Sequence, residues 1–104
     1  MITDFTQLNL HPQLIQAVHE QGYETPMPIQ AAIIPMMIKS LDVIGQAQTG
    51  TGKTAAFALP ILQNFQPGLS HIQALILTPT RELAIQVGNA VSAYGRHIQV
   101  RVLA

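Results

Sequence analysis

Ala47-Gln48-Thr49-Gly50-Thr51-Gly52-Lys53-Thr54 joins two different kinds of chain. Before it, Asp42-Val43-Ile44-Gly45 is a short run rich in β-branched residues; after it, Thr54-Ala55-Ala56-Phe57-Ala58-Leu59 favours a helix. A strand, a glycine-rich turn and a helix in that order read as a phosphate-binding loop. Backbone N–H groups curl around phosphate oxygens, and the helix aims its positive N-terminus at them. Gly50 and Gly52 supply the permissive dihedrals. Lys53 would set an ammonium against the outer phosphates, and the Thr54 hydroxyl would bind the Mg²⁺ that accompanies a nucleoside triphosphate. Lys53 and Thr54 are therefore the candidate catalytic pair, and residues 47–55, ending at Ala55, the candidate cofactor-binding segment. The alternative is an ordinary Gly/Thr-rich turn, which has no need of Lys and Thr directly after its last glycine.

The surrounding composition suits an α/β domain or part of one: 104 residues, 48% hydrophobic and 10% charged. Net charge is zero with histidine neutral, so any nucleic-acid contact must be local rather than the work of an overall basic field. The absence of cysteine excludes disulfides and thiolate metal sites and is compatible with a reducing cytoplasm. Met1-Ile2-Thr3-Asp4-Phe5 lacks a signal-peptide pattern, and the apolar run at 31–38 is too short to span a bilayer, so a soluble, cytoplasmic protein without membrane contact is expected. The four histidines show no metal-ligand spacing and read as surface residues, and the five carboxylates form no obvious acid–base pair.

Outward from the loop, a first helix is predicted over 12–21, with Pro12 at its first position, Leu14, Ile15 and Val18 on one face, and Gly22 as its stop. A second starts at Pro28 and carries Ile29, Ala32, Ile33 and Met36 inward, with Pro35 straining or ending it. Residues 64–70, containing Pro67-Gly68, read as an exposed loop. Ala74-Leu75-Ile76-Leu77 reads as a buried parallel strand, followed by a helix over 81–94 that Gly95 terminates, and 98–103 as the next strand. Strands alternating with helices predict an α/β fold: a parallel sheet flanked by helices, with nucleotide at the C-terminal ends of the strands.

Three segments together resemble the N-terminal part of a DEAD-box ATP-dependent RNA helicase of bacterial type. Gly22-Tyr23-Glu24-Thr25-Pro26-Met27-Pro28-Ile29-Gln30 is similar to that family's adenine-sensing Q motif, with Phe5 at the family's upstream spacing. Residues 47–54 have the helicase form of the phosphate loop. Pro79-Thr80-Arg81-Glu82-Leu83-Ala84 is similar to motif Ia, which contacts the RNA backbone. The resemblance covers essentially the whole chain and implies a partial RecA-like domain: residues 1–30 as N-terminal flank and Q motif, residues 31–104 as the first part of the ATP-binding domain.

By that resemblance Gln30 hydrogen-bonds the adenine edge, Phe5 stacks on its face, and Tyr23 and Thr25 belong to the same nucleotide-binding segment. A carboxamide offers a donor and an acceptor together, which suits adenine and mismatches guanine. Taken alone, Gln30 reads as a surface or helix-capping residue and Phe5 as a core plug. Pro79, Thr80, Arg81 and Glu82 would contact RNA, with Arg81 and nearby free N–H groups holding a phosphate irrespective of base sequence. Thr80 can cap the helix at the same time, and Glu82 can sit favourably in its first turn.

Two residues depart from the family pattern. Met27 replaces the usual Thr or Ser before Pro28, removing a side-chain oxygen at the expected N-cap, and Ser40-Leu41 replaces a glycine-containing turn. The acidic motif, the Ser-Ala-Thr segment and the second RecA-like domain are not in the sequence. The resemblance therefore implies RNA-stimulated ATP hydrolysis coupled to duplex unwinding in the parent protein, with these 104 residues alone inactive. The alternative is a non-catalytic nucleotide-binding or interaction fragment. The family's topology puts the strand at 42–46 beside strands absent from this sequence, which predicts either a homodimer that supplies its neighbours or marginal stability.

Overall fold

The structure, a computed structural model, describes residues 2–48 and 52–104. Asp4 starts it: its carboxylate accepts from Thr6 N at 2.8 Å, while Gln7 Oε1 accepts from Asp4 N at 3.1 Å. This reciprocal cap closes a 3₁₀ turn, Phe5–Leu8, and buries both Phe5 and Leu8. Helix α1, Pro12–Glu20, begins on Pro12 and buries Leu14, Ala17 and Val18; Ile15 packs less deeply. Gly22, at φ 89°, turns the chain out of it, as expected.

Helix α2, Pro28–Ile38, continues through Pro35. Its buried residues are Gln30, Ile33 and Ile34, whereas Ala32 and Met36 are exposed, which corrects the expected inward face. Almost every position of this helix is apolar, so spacing alone does not select the side that faces the core. Helix α3, Lys53–Gln63, is longer than the run read from sequence and also contains a proline, Pro60, buried with Leu59 and Leu62. Helix α4, Arg81–Tyr94, has its expected bounds, with the Thr80 hydroxyl accepting from Leu83 N at 3.1 Å. Gly95 ends it at φ −94°, not in the left-handed region. Its requirement is space: a Cβ there would lie 2.5 Å from Val100 Cγ1.

Phe5, Leu14, Ile34, Leu59, Leu62, Val91 and Tyr94 belong to one buried cluster, so the flank shares its core with α2, α3 and α4. The radius of gyration, 13.0 Å, is that of a packed chain of this length. Residues 64–70 form the expected exposed loop, closed by Gln66 N donating to Gln73 Oε1 and Gln73 Nε2 donating to Gln66 O.

The expected parallel sheet is not formed among the described residues. Residues 42–47, 73–78 and 100–104 have no ladder hydrogen bonds there, although their side chains alternate as in strands. Val43, Ile76 and Val100 face the helices, and Ile44, Leu75, Leu77 and Leu103 face outward. A ladder needs a neighbour in register, and no backbone hydrogen bond joins 42–47, 73–78 and 100–104 to one another.

Candidate nucleotide and RNA site

The N-terminus of α3 is the centre of the site. Gly52 occupies its N-cap at φ 83° and ψ 25°, a left-handed conformation that side-chain-bearing residues adopt only with strain. A second constraint acts on the same residue, because a Cβ on Gly52 would run into the Gln30 amide nitrogen and lie 3.1 Å from Met27 Cγ. Among the described residues no side chain caps this helix, and its first turn carries no acidic residue, an arrangement that suits an anion at its N-terminus. Lys53 is exposed, Thr54 half-buried and Ala55 buried. Ala47 and Gln48 lead toward this end; Thr49, Gly50 and Thr51 of the expected loop lie outside the described residues.

Gln30 joins this end to α2. Only 3% of it is exposed, and both ends of its carboxamide are used: Oε1 accepts from Met27 N at 2.9 Å, and Nε2 donates to the Gly52 carbonyl at 3.2 Å. The segments expected to read adenine and to bind phosphate are therefore in direct contact, through residues 22 positions apart. Residue spacing does not announce this bond. Met27, the N-cap of α2, supplies no side-chain oxygen to its first turn, and Gln30 partly compensates by taking the Met27 N–H.

The other expected nucleotide contacts are differently placed. Phe5 is 1% exposed and sits in the core, so the stacking role implied by the resemblance is corrected to the plug reading: no ring face is open. The capped turn around it accounts for this, since Asp4 and Gln7 fix the backbone that directs the ring inward. Tyr23 and Thr25 are exposed beyond α1. A cleft of about 370 Å³ adjoins Lys53, walled by Ile29, Ile33 and Met37 of α2 and by Ala56 and Phe57 of α3. A larger surface depression on α1, about 680 Å³, contains none of the motif residues.

Pro79, Thr80, Arg81 and Glu82 are exposed at the start of α4. Thr78 Oγ1 donates to the Thr80 carbonyl at 2.9 Å, which holds the turn ahead of the helix, and the Thr80 hydroxyl is occupied as cap. Glu82 lies in the first turn, favourable to the helix dipole. Among the described residues ion pairing is confined to Glu20, so Arg81 has no carboxylate partner there.

That Glu20 cluster was not legible in the sequence. Glu20 Oε1 lies 2.7 Å from His97 Nε2 and 3.8 Å from Arg96, which ties the end of α1 to the turn after α4. The His97 hydrogen bond, reinforced by the charges of His97 and Arg96, holds the Glu20 carboxyl below the usual carboxylate range. Burial, and secondarily Tyr23, push the Tyr94 phenol up. No group of three or more His, Asp or Glu residues that could hold a metal occurs among the described residues. A Mg²⁺ here would be held through phosphate oxygens and a hydroxyl, the usual way this hard cation enters nucleotide sites, and Thr54 at the second position of α3 is the matching donor.

Residues 27–104 match the model of the DEAD/DEAH box helicase family. The chain belongs to that family. It is 50% identical over 97 residues to the Escherichia coli K12 ATP-dependent RNA helicase DeaD, covering 93% of this chain and 15% of that protein. It is 48% identical over 102 residues to the DEAD-box ATP-dependent RNA helicase CshA of Bacillus cereus, covering 98% and 19%. Among solved structures, a DEAD box protein from Methanococcus jannaschii aligns with a TM-score of 0.84 at 40% identity, over 88% of this chain and 25% of that one. A Saccharomyces cerevisiae Dbp5 variant bound to RNA and ADP BeF3 aligns with a TM-score of 0.90 at 34% identity, over 94% and 26%. The DEAD/DEAH chain thus has the fold of the corresponding part of these helicases, and it spans under one fifth of the length of the curated relatives it matches. No helix among the described residues is long and apolar enough to cross a membrane.

Proposed function

We propose that this chain is the ATP-binding, RNA-contacting N-terminal portion of an ATP-dependent RNA helicase. The observation that carries the reading is the hydrogen bond from Gln30 to Gly52, which joins a carboxamide suited to adenine to the uncapped helix end suited to phosphate. Lys53 contacts the outer phosphates and Thr54 the Mg²⁺, with residues 47–52 wrapping the phosphate chain. Gln30 reads the adenine edge with the hydrogen-bonding capacity its two protein contacts leave: one amide hydrogen and one oxygen lone pair. Phe5 shapes the site from behind by fixing the flank in the core, and Tyr23 and Thr25 border it.

Arg81, with the leading N–H groups of α4 and the backbone around Pro79 and Thr80, contacts RNA phosphates without reading sequence. The Dbp5 relative, bound to RNA and ADP BeF3, supports both ligands for this chain. Residues 1–30 serve as flank and nucleotide reader and residues 31–104 as the phosphate- and RNA-binding part, in a parallel sheet that longer relatives complete. The reaction is RNA-stimulated ATP hydrolysis coupled to strand separation in a protein of the relatives' length. The 104 residues alone bind without turnover, because their carboxylates form no cluster to hold Mg²⁺ and place the attacking water.

Titration of the chain with ATP and with GTP, each with Mg²⁺, tests the reading while released phosphate is followed in the same samples. Adenine-selective binding without phosphate release supports it; equal binding of both nucleotides, or of neither, refutes it.

A further inference from the structure

Residues 21–27 cross the surface between α1 and α2, and of them Pro26 alone is buried. The backbone closes this passage at its start, where Gly22 N donates to the His19 carbonyl at 2.9 Å and Tyr23 N to that of Val18 at 3.2 Å. At its end Met27 N donates to Gln30 Oε1. Between these points Glu24 and Thr25 take part in no hydrogen bond or ion pair among the described residues, so the passage lies where its two ends are held.

The first end is also held from outside. Glu20, the last residue of α1, reaches the turn after α4, and its Oε1 lies 2.7 Å from His97 Nε2 and 3.8 Å from Arg96 Nη1. Three residues on, the Tyr23 phenol lies close enough to that of buried Tyr94 to add to its upward shift, so a second residue of the passage sits beside the same end of α4. We infer that Glu20 is a positioning residue for the nucleotide, a role that rests on the adenine reading proposed for Gln30: through His97 and Arg96 it pins the start of 21–27 to α4. Met27 N, at the other end, orients the Gln30 carboxamide, so a passage that slips draws this donor away and turns the amide from the base. An exposed ion pair adds little to global stability, and its worth here is placement.

The test compares Glu20→Ala, His97→Ala and the double variant of the whole chain, titrated calorimetrically with ATP and with inorganic tripolyphosphate, each with Mg²⁺. Tripolyphosphate uses the phosphate loop and has no base to read. Each single variant should bind ATP about threefold more weakly, the size expected of a partly exposed charged contact. The double variant should lose no more than the worse single one, because both act through one contact. Tripolyphosphate affinity should not change. Without nucleotide, amide exchange at Tyr23 and Met27 should quicken by a similar factor while that of α3 stays as it was. A contact that only stapled α1 to α4 would affect both ligands alike; that result, additive losses, or unaltered exchange at Tyr23 and Met27 would overturn the inference. Wild-type preference for ATP over GTP, beside variants that bind ATP unchanged, overturns this inference alone. Absence of that preference refutes the reading of Gln30 and the positioning role with it.

Discussion

Gln30 donates its amide hydrogen to the carbonyl of Gly52 across 3.2 Å, so the residue proposed to read the base and the N-cap of the helix proposed to hold the phosphates share one bond. Gln30→Ala removes this bond and the acceptor of the Met27 N–H together; the half-buried Gly52 carbonyl keeps its hydrogen bond from Ala56 N, so the cost is that of two ordinary hydrogen bonds, about 0.5–1.5 kcal/mol each. Expected are ATP affinity lower by about tenfold and loss of the preference over GTP, read by calorimetric titration. Gln30→Glu discriminates further: a carboxylate keeps the acceptor for Met27 N but cannot donate to Gly52. Gly52→Ala should be worse for folding than either, since strain at φ 83° adds to the collision with the Gln30 amide.

Lys53 is exposed at the first position of α3. Lys53→Ala should therefore abolish most nucleotide affinity while changing the thermal midpoint by no more than a surface substitution does, about 0.5 kcal/mol. Titration and thermal unfolding of the same preparation separate the two effects.

Met27 is an N-cap without a side-chain oxygen. Met27→Ser supplies one, and should stabilise the chain by up to about 1 kcal/mol, raising the midpoint by several degrees for a domain of this size. The measurement is a thermal melt of the two proteins.

Thr80 and Arg81 are adjacent but have separable roles. Thr80→Ala removes the cap bond to Leu83 N and should cost about 1 kcal/mol of stability. Arg81→Ala should leave stability unchanged and weaken RNA binding uniformly across sequences, with a shallower salt dependence. Filter binding at several salt concentrations, beside melts, distinguishes them.

Glu20 predicts a pH dependence. Its carboxyl titrates below the ordinary range in the folded chain, chiefly because of His97, so the folded state binds this proton less readily than the unfolded state does. The stabilisation is complete above the unfolded carboxylate value and disappears as pH falls through the lower folded one. Glu20→Gln should flatten the acid side of a stability–pH profile measured by denaturant titration.

The helix bounds were legible because single residues carry them: Pro12 and Gly22 for α1, Thr80 and Gly95 for α4. The inward face of α2 was not, because a helix apolar all round offers no polar side to orient it. The extended segments were legible as β-branched and continuous apolar runs, but whether a strand pairs and buries both faces depends on neighbours that such runs do not reveal, and Leu75 and Leu77 are exposed. Gly52 and Lys53 stand at the N-cap and first position of α3. Phe5 does not stand open to a base, since a capped turn, invisible in residue spacing, aims it inward. The Glu20–His97 contact spans 77 positions, and no local pattern announces a meeting at that distance.

The burial of Phe5, Leu8 and Leu10, with His11 N donating to Gln63 Oε1 at 2.7 Å, makes the leading residues a keel rather than a tail. A protease should nick the chain first around 66–72 and leave its beginning intact. Trimming those early residues would not shorten an appendage; it would hollow the molecule beneath the end of α3.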